Sequence, residues 1–482
     1  KSGTFLHIFR AVFLALFVIP LFASFIILAL SKLLDVLQVE SIMNPAMVLI
    51  VGVLLLVLKN SFHQKIRTDL LNAIVCLAAP MLICFFLLQA YGGMEKVYST
   101  LSELATSDVR LIPKIGEAEN SDTVANFLVF IFIQWWSVNI VDNSDPNAQR
   151  HFQAQSQFAA FKTLFIPIIV TSLMFLFVST IWDCGLLEYK LNGHDEIDTE
   201  AFYLQIALQH LPGGFKAIAL IAIIFSFITT LESIVNWGGG LLTVDIVKTY
   251  LLANGTDRQY KYLSFAAMLL VSSIALIFAF NNDKILHLQK FVFSISAGVA
   301  PVFMLRWFWW RINAWAQISA MLSSLIYTLS YDYLFQHNEK FRHIIESVCT
   351  ETALSPYPLK LIILTVLVVG TWLTVMLSTA PDPKAHLVAF VQKTGTGGVW
   401  PRGFPQTNYQ MKKRLLLCLI FAVTYILPFV FIWQFKFGDI SLGIILMVLF
   451  CCLATYVYRS MALLLPGDKG KSEALFSKDF GE

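Results

Sequence analysis

The chain has 482 residues, 57% of them apolar and 13% charged, with 41 Phe and 11 Trp. Soluble domains carry about a quarter charged residues, so this composition points to an all-α polytopic membrane protein. A net charge of +3 with no long basic run excludes a nucleic-acid-binding chain, and the alternating segments of a membrane barrel are missing.

Apolar runs predict about twelve transmembrane helices. They fall near 8–34, 44–58, 70–90, 122–141, 157–180, 213–248, 260–280, 286–306, 312–335, 357–379, 413–436 and 439–464. Pro20, Pro80, Pro167, Pro301 and Pro428 sit inside spans and are expected to kink them. Residues 95–110 and 198–211 mix apolar and polar side chains and predict interfacial helices. The Pro- and Gly-rich stretch after residue 380 predicts an irregular linker with one short helix near 384–393.

Loop charge sets the expected orientation. Lys59, Lys65 and Arg67, then Arg150 with Lys162, Lys248 with Arg258, Arg306 with Arg311, and Lys412 to Arg414 fall on one side. Glu103, Asp108, Glu117, Asp183, Glu188 and Asp195 fall on the other. The positive-inside rule places the first set, and both ends of the chain, in the cytoplasm. The Asn254-Gly255-Thr256 sequon then lies inside and is set aside. Cys184 and Cys349 fall in loops on the same outer side, where they could pair if it is oxidising. The other Cys, Cys76 among them, read as small core residues.

Enzyme signatures are absent: the sequence contains no HExxH, no nucleophile elbow and no phosphate loop. The nine His lie at span ends or in loops. The run from Leu305 to Arg311 reads as an interfacial aromatic belt whose two Arg reach phosphates.

Chemistry concentrates in residues 225–250, FSFITTLESIVNWGGGLLTVDIVKTY. Ser226, Thr229, Thr230, Glu232, Ser233 and Asn236 lie at membrane depth, where polar groups usually face protein or water. Three consecutive glycines, Gly238 to Gly240, let another backbone come close. Thr229 and Thr230 point about 100° apart on a helix. Their hydroxyls and the carbonyl of Ser226 are hard oxygens that suit a small hard cation. Two readings of Glu232 stay open: a partner for a nearby hydroxyl, or a role in cation attraction or proton coupling. In the fourth span Gln134, Trp135 and Trp136 are followed by Asn139, Asp142 and Asn143, so the apolar run stops early. That pattern fits either a discontinuous helix or an ordinary helix end with interfacial aromatics.

These blocks carry a resemblance. Ile228 to Gly238 with Val244-Asp245-Ile246 resembles the sodium-site helix of the sodium:solute symporter family, in the branch common in Bacteroidetes-type bacteria. Thr68-Asp69, the Gln134-Trp135-Trp136 block with Gln149-Arg150 after it, the stretch from Leu305 to Ala316, and the linker from Pro381 to Pro405 agree in order. The resemblance implies a leucine-transporter-like inverted-repeat fold. It implies Na+ as coupling ion, held by the Ser226 carbonyl and the Thr229 and Thr230 hydroxyls. It makes Gln134, Trp135, Trp136 and Asn139 candidate substrate-binding or gate residues. It further implies that Lys1 to Arg10 is the loop entering the third core helix. The leader helix and first two core helices would then come from upstream residues or another chain.

The expected organisation is a transporter core over 1–335, an outer loop and additional helix over 336–379, a cytoplasmic linker over 380–412, and a peripheral helix pair with tail over 413–482. The function expected is sodium-coupled symport of a small organic solute by alternating access, in a bacterial inner membrane. The alternative is a transport-incompetent symporter-like subunit with a structural role in a larger membrane complex.

Overall fold

The computed structural model describes residues 2–37, 62–104, 121–137, 154, 156–192, 199–352, 354–394, 397–401, 403–404 and 411–464. Among the described residues the secondary structure is helical, apart from an isolated bridge between Trp309 and Val399.

Helix α1 runs over 2–36 as Ser2–Phe13, a π-helical turn Leu14–Val18, and Ile19–Val36. The wide turn stands immediately before Pro20, whose missing N–H leaves a carbonyl of the preceding turn without its helical partner. Then come α2 (Phe62–Ala90), α3 (Met94–Leu104) and α4 over 121–137. The short α5 (Gln157–Lys162) leads into α6 (Phe165–Asn192) and α7 (Thr199–His210). Helix α8 joins Gly213–Gly240 to an eleven-residue π-helical stretch, Leu241–Leu251. It is followed by α9 (Asp257–Phe280), α10 (Ile285–Leu305), α11 (Ala314–His337) and α12 (Glu339–Thr352). The last described helices are α13 (Pro356–Ser378), α14 (Lys384–Thr394), α15 (Met411–Phe437) and α16 (Ile440–Leu464).

Nine helices among the described residues are long and apolar enough to cross a membrane. Of the other expected spans, 312–335 is α11. Its polar groups Gln317, Ser323, Ser324 and Thr328 are buried inside the protein, and Ser324 donates to the Ile295 carbonyl of α10. The expected 122–141 span begins as α4, and 44–58 lies outside the described residues.

The main core gathers α1, α10, α11 and α13 around the fully buried Trp372, with Val271 of α9. A second core joins α2, α3, α6 and α7 through Ile83, Leu101, Ile181 and Ile206. Small residues set the close crossings. A Cβ on Gly298 of α10 would stand 2.4 Å from Val368 Cβ of α13. One on Gly238 of α8 would stand 3.0 Å from Ile19 of α1 and 3.1 Å from Val271 of α9. Gly239 faces Met268 and the Ser264 carbonyl, whereas a Cβ on Gly240 meets nothing within 4 Å. The glycine triplet therefore seats α8 against two helices with its first two members.

Three expectations need correction. Cys184 lies inside α6, fully buried, and forms no disulfide with Cys349. Pro167 falls in the first turn of α6, where no helical N–H is lost. The arginines of the aromatic belt are used within the protein. Arg311 donates to the carbonyls of Leu377 and Thr379, capping α13, and Arg306 donates to Gln317 at 3.1 Å. The linker docks on the same belt, with Val399 N–H donating to the Phe308 carbonyl at 2.7 Å.

The final helix pair is tied to the rest by a buried ion pair. Lys436 Nζ of α15 lies 2.8 Å from Asp183 Oδ2 of α6 and 2.7 Å from Ser179 Oγ. Its ammonium also lies over the Tyr98 ring of α3.

Candidate functional site

Helix α8 packs against α1, α2 and α9. Ser226, Thr229, Glu232 and Asn236 follow one another at spacings of three, three and four, so they share one face. Thr229 and Glu232 are buried, 4% and 6% exposed, and Ser226 and Asn236 are half-buried. Leu231 and Val235 beside them pack with Ala23 and Ile27 of α1 and Ala275 of α9. A carboxylate at this depth, inside protein rather than lipid, fits the rule that intramembrane charge faces the bundle interior. Thr230 lies off this stripe and is exposed.

Both threonine hydroxyls turn back onto their own helix. Thr229 Oγ1 lies 3.0 Å from the Phe225 carbonyl and 3.1 Å from the Ser226 carbonyl, and its one proton serves one of them at a time or is shared. Thr230 donates to the Ser226 carbonyl at 2.8 Å. The Ser226 carbonyl therefore accepts the Thr230 hydroxyl proton and has the Thr229 hydroxyl within reach. Each hydroxyl oxygen keeps lone-pair capacity for another partner. The result is a compact group of neutral oxygens on one helical turn.

The facing element is α2. Its Cys76 thiol lies 3.1 Å from the Ser226 hydroxyl and 3.4 Å from Asn72 Oδ1, and its one proton serves one of them at a time. Sequence reasoning treated Cys76 as core packing and passed over Asn72. The signal was a polar pair at i and i+4 within an apolar run, which places both on one face. At its far end α8 is latched to α1: His7 Nδ1 lies 2.9 Å from the Tyr250 hydroxyl, and His7 Nε2 lies 3.8 Å from Asp245.

The second set of candidates sits elsewhere. Gln134 closes a π-helical turn, Phe130–Gln134, within α4. The Trp136 indole N–H donates to the Ala297 carbonyl of α10 at 3.0 Å, which fastens α4 to α10. Trp135 is 55% exposed, with its ring edge-on to Trp136 at 5.7 Å. Helix α4 packs on α10 and α13, so this set and the α8 stripe have different neighbours. Asn139, Gln149 and Arg150 lie outside the described residues. No group of three or more His, Cys, Asp or Glu among the described residues is placed to hold a metal ion. The hydroxyl and carbonyl oxygens of Ser226, Thr229 and Thr230 are neutral, and Glu232 lies on the same face as Ser226 and Thr229.

Comparison with known proteins gives this geometry a context. The high-affinity proline transporter PutP of Bacillus subtilis (strain 168) is 28% identical over 143 residues, covering 29% of this chain and 30% of that protein. A sodium/glucose cotransporter of Vibrio parahaemolyticus is 22% identical over 130 residues, covering 26% of this chain and 24% of that protein. Sodium/glucose cotransporter 4 of Danio rerio is 23% identical over 207 residues, covering 39% of this chain and 29% of that protein. The matched stretches thus span less than a third of each curated relative. The solved structure of a Na+-coupled sialic acid symporter, in a substrate-bound outward-open state, superposes with a TM-score of 0.52 at 14% identity. It covers 79% of this chain and 75% of that one. That likeness shows the fold, in agreement with the transporter architecture expected from the sequence. A model of the sodium:solute symporter family matches residues 5–325, more than half of the chain. The chain belongs to the sodium:solute symporter family.

Proposed function

We propose that this chain carries out sodium-coupled symport of a small organic solute by alternating access. The observation that carries the reading is the polar stripe on α8, where Ser226 and Thr229, with the exposed Thr230 beside them, cluster hard oxygens on one turn. Family membership and the helical fold support it. Na+ is cargo here, bound by the Thr229 and Thr230 hydroxyl oxygens and the Ser226 carbonyl. One lone pair of that carbonyl becomes available when the hydroxyls rotate away from it, the other keeping its helical N–H. Asn72 and Cys76 line the approach from α2. Gln134, Trp135, Trp136 and Asn139 form the wall offered to solute or gate. Loop charge orients the protein with Lys248 and both chain ends towards the cytoplasm of a bacterial inner membrane.

The test is uptake into proteoliposomes under an inward sodium gradient. The solute panel holds proline, glucose and sialic acid, which are the solutes named for the relatives. Uptake of at least one solute with sodium, and none with potassium, is expected. Thr229→Ala should raise the half-saturating sodium concentration about tenfold, the effect of one lost ligand. Uptake that ignores the cation, or that both threonine variants leave unchanged, contradicts the reading and favours the structural-subunit alternative.

A further inference from the structure

Four helices bring ends together on one side of the protein: the C-terminal ends of α9 and α11 and the N-terminal ends of α10 and α13. Between them lies a cavity of about 500 Å³, within the size range of small-molecule sites. One wall is apolar, formed by Leu21, Phe278, Leu288 and Phe291. The other wall carries charge. Lys360 is buried there and is answered by Asp332, with Nζ 2.6 Å from Oδ1, so those two charges cancel. Lys290 has no carboxylate partner among the described residues, and its ammonium lies 5.1 Å from the Tyr357 ring centroid. His287, exposed at the rim, adds positive charge only when protonated. Two helix N-termini and two C-termini meet here, so their dipoles oppose one another and the ammonium decides the sign.

We propose that this cavity binds a small monocarboxylate with an apolar body. The carboxylate sits at Lys290, and the body lies against Phe278 and Phe291. A charge-assisted hydrogen bond in a half-buried setting supplies the polar anchor. The aromatic and aliphatic wall supplies area that leaves water. With Lys360 and Asp332 cancelling each other, the one uncancelled ammonium among the described residues of the wall, Lys290, disfavours a cation and matches a single negative charge on the ligand. The α8 stripe contributes no residue to this cavity, so the site is separate from the proposed sodium site.

Benzoate is the probe, and benzyl alcohol is its neutral counterpart of similar size. Binding to the purified full chain is measured by calorimetry in phosphatidylcholine nanodiscs. We expect saturable benzoate binding and at least about tenfold weaker binding of benzyl alcohol. Lys290→Gln should weaken benzoate about tenfold or more, while Lys290→Arg stays within about threefold of the native chain. No benzoate binding, equal affinity for benzyl alcohol, or equal benzoate affinity in Lys290→Gln overturns the proposal. Displacement of benzoate by phosphatidylglycerol in the nanodiscs also overturns it, because a lipid headgroup is then the occupant. If Lys290→Gln does not fold, the comparison of benzoate with benzyl alcohol on the native chain decides. The readout is binding without transport, so its failure leaves the sodium reading standing.

Discussion

Thr229 and Thr230 are neighbours in sequence and opposites in setting. Thr229 is buried on the polar stripe, and Thr230 is exposed beside it. The Thr230 hydroxyl donates to the Ser226 carbonyl and the Thr229 hydroxyl lies within reach of it, so an ion binding at that carbonyl should displace at least one of them. The disturbance should reach Cys76, whose thiol lies 3.1 Å from the Ser226 hydroxyl. Sodium, and not potassium, is therefore expected to change the rate at which a maleimide alkylates Cys76, read by mass spectrometry at that residue. Identical rates in the two salts count against the site. A second residue-scale prediction concerns the Lys436–Asp183 pair, 3% and 11% exposed. Lys436→Met leaves a buried carboxylate unanswered and should cost about 3–5 kcal/mol of stability. Adding Asp183→Leu should restore most of it, as measured by unfolding in detergent. No recovery in the double variant means that the pair is not the cause. The Tyr91 phenol is held above its usual range by burial, then by its hydrogen bond to the Glu188 carboxylate. A group raised in this way stabilises the fold below its unfolded pKa of about 10 and loses that contribution as pH rises further. Tyr91→Phe should therefore show a shallower loss of stability above about pH 10 than the native chain. An unchanged alkaline slope removes Tyr91 from the account.

At the scale of elements, α8 is built by its glycines as much as by its polar face. Gly238 meets Ile19 and Val271, and Gly298 meets Val368 at the β-branched carbon, which has no freedom to swing away. Gly298→Ala should lower stability by about 1–3 kcal/mol, the usual cost of overpacking. Gly240→Ala meets nothing and should be neutral or slightly stabilising through helix propensity. Thermal unfolding of the two variants separates them, and equal midpoints dispose of the close-crossing argument. The triplet was visible in the sequence, but which of its glycines face a neighbour was not, because that depends on the rotation of α8 against α1 and α9. The π-helical stretches were equally hidden. A widened turn leaves the apolar pattern almost intact, so only Pro20 marked the one in α1. Apolar length, by contrast, revealed most spans. Helix α11 stood in the list of spans although Gln317, Ser323, Ser324 and Thr328 dilute its apolar character, and the structure gives those groups protein neighbours.

For the whole molecule, composition and the length of the apolar runs were enough to define a polytopic helical protein. The polar pattern around Thr229 marks α8 as the candidate helix. Tertiary pairing was not legible. Asn72 and Cys76 came to the site from a helix 150 residues away in sequence, and Arg311 turned from the expected lipid phosphates to the end of α13. Such contacts depend on which faces meet, information that no periodicity within one helix contains. The central proposal joins these scales: family, fold and the oxygen cluster of α8 support reading this chain as a sodium-binding transporter. Direct binding of radioactive sodium to the purified chain tests it most simply. The account predicts saturable binding displaced by unlabelled sodium and not by potassium, weakened about tenfold in Thr229→Ala. Absence of saturable binding, or binding in both Thr229→Ala and Thr230→Ala as strong as in the native chain, contradicts it.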